Sequence, residues 1–154
     1  DIRNVSGTPI RKGAYGTPTV LKAKGIWHLF YERDDLGIWL ATSKDLKTWT
    51  NVQDEPVIKM GPDTYDLFAV AMNQVIHYKG LYYGYYHASA FKDWHEWSTN
   101  IAVSSDLIHW KKYEKNPIIG NNQSSGMVLK DGKGFRLYTM HRKVNLYFSE
   151  GASK

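Results

Sequence analysis

Apolar and aromatic side chains run in short stretches along this chain, and turn residues close each stretch. Ile26 to Tyr31 is apolar and aromatic almost throughout, which suits a buried strand. Thr17 to Lys22 precedes it as a first strand, and Lys24-Gly25 between the two is a tight-turn signal. Ile38 to Ser43 predicts a third strand, and Trp49 and Val57-Ile58 flank a fourth. Few helical stretches are expected. Ser43-Lys44-Asp45-Leu46 reads as a turn, with room for one helical turn, in which a short carboxylate bonds backbone N–H groups.

The pattern repeats. Ser43 to Trp49 recurs as Ser104 to Trp110, and Glu55-Pro56-Val57-Ile58 recurs as Asn116-Pro117-Ile118-Ile119, both 61 residues on. The stretch from Gly25 to Glu32 is matched by Gly80 to His87, and again by Gly134 to His141. Four strands in each roughly 50–60 residues is the spacing of propeller blades. Trp49 and Trp110 are expected to pack between neighbouring units. The second unit covers about Asp66 to Ile119; the third begins near Ser124 and stops after Val144 to Phe148. Asn4 to Arg11, with Thr8-Pro9-Ile10, resembles the end of a unit without its beginning.

These features predict one all-β domain over residues 1–154, of about three four-stranded antiparallel blades. The units fall at about 14–60, 61–120 and 121–150, with residues 1–12 as an extra outer strand. Such offset ends let one terminus complete the other's blade. Three blades do not close a ring at normal sheet twist. The chain is therefore expected either to be part of a longer propeller or to form a homo-oligomer, in which two copies supply six blades. An open sheet edge calls for a cover of some kind.

Composition narrows the chemistry. With 154 residues, 42% hydrophobic and 23% charged, the chain is ordinary globular protein, which excludes disordered and collagen-like classes. Aromatic residues reach 14%, which favours β-structure or a surface that stacks flat ligands. The absence of cysteine excludes disulfides, thiolate zinc sites and cysteine nucleophiles. The net charge of +5 is dispersed, with pairs such as Lys111-Lys112 and Arg142-Lys143, and reads as a solvated surface with no nucleic-acid partner. No apolar run is long enough for a membrane span, so no membrane partner is expected. No charged-then-apolar segment opens the given chain.

The Ser-x-Asp-Leu-x-x-Trp pattern, the Pro-Val-Ile and Pro-Ile-Ile ends that follow, and Gly25-Ile26-Trp27-His28-Leu29-Phe30-Tyr31 before them, resemble the five-bladed β-propeller glycoside hydrolases. This is the broad group around families 43, 32, 68, 117 and 130. The resemblance covers roughly residues 14–150 and is to the C-terminal half of such proteins. It implies hydrolysis or transfer at a glycosidic bond, carboxylates at the axial mouth, an oligosaccharide or polysaccharide substrate, and a periplasmic or secreted location. The chemistry needs one carboxyl to protonate the leaving oxygen and another to attack or to activate water. Many relatives carry the acid in a Glu-x-Pro motif. The nearest match here, Gly16-Thr17-Pro18, has no carboxylate, and Thr17 is kept as a substrate contact.

Inner strands start, and second strands end, at the same mouth of a propeller. The second strands end in Glu32, His87 and His141, three polar groups at equivalent repeat positions. Glu32 is the candidate acid, His87 the alternative if Glu32 proves exposed, and His141 a substrate contact; the bland reading is solvated strand ends pairing with Arg33 or Arg142. Asp66 opens the second inner strand, where the family resemblance implies a catalytic or pKa-tuning carboxylate; a turn cap is the alternative. Asn73 and Gln74 interrupt an apolar strand, to bond sugar hydroxyls or to satisfy buried backbone. Gln123 and Ser124 open the third inner strand as neutral donors. The insert Ala88 to Ser98 should overhang the mouth, with Trp94 as a sugar platform and Trp97 as a loop anchor. No cofactor is expected, although two His and a Glu converging on an axis would also suit a divalent cation. A non-catalytic glycan-binding module and an assembly fragment are the alternatives to an enzyme.

Overall fold

The structure is a computed structural model and describes residues 1–10 and 15–152. It is almost entirely β and forms three sheets. In the first, β2 (Tyr15–Ala23), β3 (Ile26–Arg33), β4 (Gly37–Ser43) and β5 (Trp49–Asn51) lie antiparallel in that order, with β6 (Ile58–Lys59) also on β4. At the outer edge β1 (Ile2–Arg3) pairs parallel with β5. In the second, β7 (Ala69–Tyr78), β8 (Leu81–Ser89), β9 (Trp97–Ser104) and β10 (Lys111–Lys112) form a four-stranded meander. The third holds β11 (Ser124–Asp131), β12 (Gly134–Met140) and β13 (Val144–Phe148). The one helical element described is a 3₁₀ turn at Thr64–Asp66. Among the described residues no helix is long and apolar enough to cross a membrane.

Local chemistry explains the hairpins. Lys24-Gly25 and Lys79-Gly80 have all four φ angles positive, at 50°, 79°, 49° and 80°. That is the two-residue turn whose twist matches antiparallel strands. The repeated Ser-x-Asp-Leu turns are built alike. Asp45 Oδ1 accepts from the N–H groups of Lys47 and Thr48, and Asp106 Oδ1 from those of Ile108 and His109. They do not form the helical turn expected, because Leu46 and Leu107 sit at φ 63° and 71°, in the left-handed region.

Phe30, Ile38 and Leu40 from the first sheet meet Val70, Met72 and Tyr86 from the second in one buried cluster. Trp110 seals it edge-on to Phe30, with ring centroids 5.7 Å apart. Trp49 behaves differently from its repeat partner. It is buried with Tyr31 and Ala41 of its own sheet, against Ile2. The N-terminal segment causes the difference, since β1 occupies the flank of β5. The same pairing overturns the expectation that one terminus completes the other's blade. Ile2–Arg3 extends the first sheet, and β13 remains the edge of the third. The part of the expected outer strand at residues 11–12 lies outside the described residues.

The innermost strands β2, β7 and β11 run side by side and are stitched by side chains. Thr19 Oγ1 donates to Met72 O at 3.1 Å. Gln74 binds Val128 twice, donating from Nε2 to the carbonyl at 3.0 Å and accepting the N–H on Oε1 at 2.6 Å. Of the two readings for Gln74, the backbone clamp is the one observed. Gln74→Leu keeps the bulk but leaves both polar groups of Val128 without this partner. We expect a loss of about 2 kcal/mol, read as a lower midpoint in urea.

Candidate functional site

Strand register brings the equivalent second-strand ends to the inner-strand starts. Gly16 pairs with Glu32, Ala71 with His87, and Ser124 with Met140, next to His141. Each inner strand also carries a register shift just inside this mouth: between Gly16 and Thr19, between Met72 and Gln74, and between Ser124 and Met127. Bulges bend a strand and re-aim a side chain, and they concentrate near functional sites. Thr17 and Ser125 lie within two of them at φ 47° and 54°. Asn73 lies within the third.

At the first-sheet corner, Glu32 is 7% exposed and its Oε2 accepts the Asp35 N–H at 2.7 Å. Gly16 makes room for it, since a Cβ there would stand 2.2 Å from Glu32 Oε1. Arg33 does not neutralise Glu32; its guanidinium lies over the rings of Tyr15 and Trp39, at 5.9 and 5.1 Å. Asp34 and Asp35 both adopt left-handed φ, at 53° and 55°, and the Asp35 carbonyl accepts the Val70 N–H of the second sheet at 2.8 Å. Half-buried, and close to the charges of Glu32 and Asp34, Asp35 has its carboxyl pushed up to about 6. Gly16→Ala should therefore swing Glu32 out of place. Its mark would be a fall of the Asp35 carboxyl toward the ordinary range, read by carbon-13 titration.

Asp35 was not singled out from the sequence. The available signal is the run of three carboxylates in Glu32-Arg33-Asp34-Asp35.

At the second-sheet corner, His87 Nδ1 is 2.9 Å from Asn73 Nδ2 and 3.3 Å from Asn73 Oδ1. Trp97 packs edge-on at 4.9 Å. Burial, with His141 nearby, lowers the His87 imidazole to about 4. It is therefore neutral at physiological pH and suited to hydrogen bonding rather than to proton donation. In the insert, Trp94 is 43% exposed and its ring lies 6.5 Å from that of Trp97.

At the third corner, Ser124 is buried, and Gln123 Oε1 accepts from Thr139 Oγ1 at 3.0 Å and Tyr147 OH at 2.6 Å. A cleft of ≈ 490 Å³ opens between the insert and the β12–β13 turn, lined by Gln123, His141 and Arg142 among others.

Asp66 ends the 3₁₀ turn ahead of β7 rather than opening the strand itself. Its side chain is fully buried, and Oδ2 accepts from Lys112 Nζ on β10 at 2.6 Å. Lys112 also donates to Gly61 O at 2.7 Å. Desolvation outweighs the lysine and raises the Asp66 carboxyl. No hydrogen bond or ion pair joins Asp66, Glu32 and His87 to one another among the described residues. Nor is any group of three or more His, Asp or Glu placed there to hold a metal ion.

No protein-family model and no curated protein sequence matches the chain. Solved structures do. One described for the family-130 mannoside phosphorylases, a family with glycoside hydrolases that target β-1,2-mannosidic linkages in Candida mannan, superposes with a TM-score of 0.72 at 17% identity. It covers 90% of this chain and 46% of that one. A glycosyl hydrolase from Bacteroides ovatus has a TM-score of 0.69 at 16% identity, covering 90% and 47%. The Bacillus subtilis arabinanase Arb43A has a TM-score of 0.62 at 19% identity, covering 79% and 46%. The chain has the fold of propeller glycoside hydrolases and spans about half the length of these three.

Proposed function

We propose that this propeller segment takes part in carbohydrate processing at a glycosidic bond, with the mouth of the inner strands as its site. One observation carries the reading: Glu32 and Asp35 are locked together at that mouth, and Asp35 holds its proton up to about 6. A carboxyl that stays protonated close to neutral pH can donate to a leaving oxygen. In this reading the pair shares the acid role: Asp35 delivers the proton, and the buried Glu32 keeps Asp35 basic enough to hold it. Neutral His87, with Asn73, bonds a sugar hydroxyl. His141, Gln123, Ser124 and Thr17 contact further hydroxyls, and Trp94 stacks on a ring face. Asp66, tied to Lys112, tunes and positions the loop that opens the second inner strand. Both mouth carboxyls lie at one corner, so the carboxylate on the other side of the scissile bond comes from outside this segment. A second copy in a homo-oligomer, or further blades of a longer chain, would supply it.

The test is turnover of a broad glycoside panel, with released sugar detected by mass spectrometry. Glu32→Gln should lower release, by less than loss of the Asp35 carboxyl does, and retain glycan binding. A second reading, a non-catalytic glycan-binding module, is favoured by one observation: Lys112 already engages Asp66, the carboxylate just ahead of the second inner strand. Binding without any turnover by the unmodified protein, across its oligomeric states, would select that module.

A further inference from the structure

The cleft between the second-sheet insert and the β12–β13 turn has a one-sided chemistry. Gln123 directs its carbonyl oxygen to Thr139 and Tyr147, so its NH₂ group is left to donate. Asn122 likewise directs Oδ1 to the Trp97 N–H at 3.1 Å. Beside them stand Arg142 and Lys143, both exposed, neither in an ion pair among the described residues. This side of the cleft offers donors and positive charge. A sugar hydroxyl is served by donors and acceptors together, whereas a carboxylate only accepts. Arginine further suits a carboxylate because its planar fork can bind both oxygens. Glu96 lines the opposite, insert side and would repel an anion there, which orients the charge toward the turn.

We infer that this cleft takes an acidic sugar, a uronate residue within a glycan, with its carboxylate against Arg142 and Lys143. The inference rests on the glycan reading above and names its substrate class. The ≈ 490 Å³ of the cleft is within the range of small-ligand sites.

The test compares an oligogalacturonide with its fully methyl-esterified form of the same length, by calorimetry at low salt, with inorganic phosphate as a third probe. The acid should bind about tenfold tighter than the ester. The difference should shrink as salt is raised. The Arg142→Gln/Lys143→Gln variant should erase the preference while leaving ester binding and melting temperature unchanged, since both side chains are exposed. Equal binding of acid and ester would overturn the inference and leave the glycan reading standing. Binding of phosphate alone, or of no probe at all, would overturn the inference, while the glycan reading is decided separately by the broad glycoside panel.

Discussion

Asp35→Asn is expected to lower turnover of a glycoside substrate by about 10²–10⁴-fold, with glycan affinity held within a few-fold. The substitution is nearly isosteric, and asparagine tolerates the left-handed φ of 55° at this position as well as aspartate does. The backbone bonds from Asp35 N–H to Glu32 and from Val70 N–H to the Asp35 carbonyl survive it. What it removes is the transferable proton. Stability provides an independent sign. The folded Asp35 carboxyl titrates at about 6, above its ordinary 3.8, so the folded state takes up the proton more readily than the unfolded chain does. Stability from this group is fully present below about pH 4 and is lost as pH rises through about 6. Asp35→Asn should therefore melt at or above the unmodified protein at pH 7–8. A variant that lost activity by unfolding would melt lower.

The largest expected effect on stability is at Lys112. Lys112→Met removes the cation bonded to Asp66, a carboxylate that is 0% exposed. Asp66 Oδ1 has no hydrogen-bond partner among the described residues, so the ion would be left with little support. Breaking a buried pair from one side costs about 3–5 kcal/mol. The folded Asp66 carboxyl is already raised and would rise further in the variant. Its deficit is therefore greatest at neutral pH and recovers as pH falls through that raised value. Adding Asp66→Asn should restore most of the loss at pH 7. Urea unfolding at two pH values measures both effects. A Lys112→Met variant as stable as its parent would mean that Asp66 is not held as a buried ion.

The blades were legible because their cause is local. Apolar runs, Lys-Gly turns and the Ser-x-Asp-Leu pattern each determine a hairpin or a turn within a few residues, and their recurrence gave the three sheets. The contrast between Trp49 and Trp110 was not legible. It depends on β1 reaching across the chain to pair Ile2 with Trp49, and strands of two and three residues leave almost no pattern. The bulges at the mouth were hidden for a related reason. An extra residue in a strand shifts which face a side chain takes, and Asn73 and Gln74 look alike until register separates them. Asn73 turns to His87, and Gln74 clamps Val128. Asp35 was the costliest omission. Its raised pKa comes from burial where two sheets meet and from Glu32 beneath it, neither of which shows in a stretch that reads as an acidic turn.

The most direct test of the central claim is the pH dependence of kcat/KM for a glycoside that the protein turns over. The account predicts a rate that falls as pH rises through about 6, as the Asp35 carboxyl gives up its proton. Asp35→Asn should lose both that step and the rate. A profile flat from pH 5 to 8, or an Asp35→Asn variant with full activity, would contradict it.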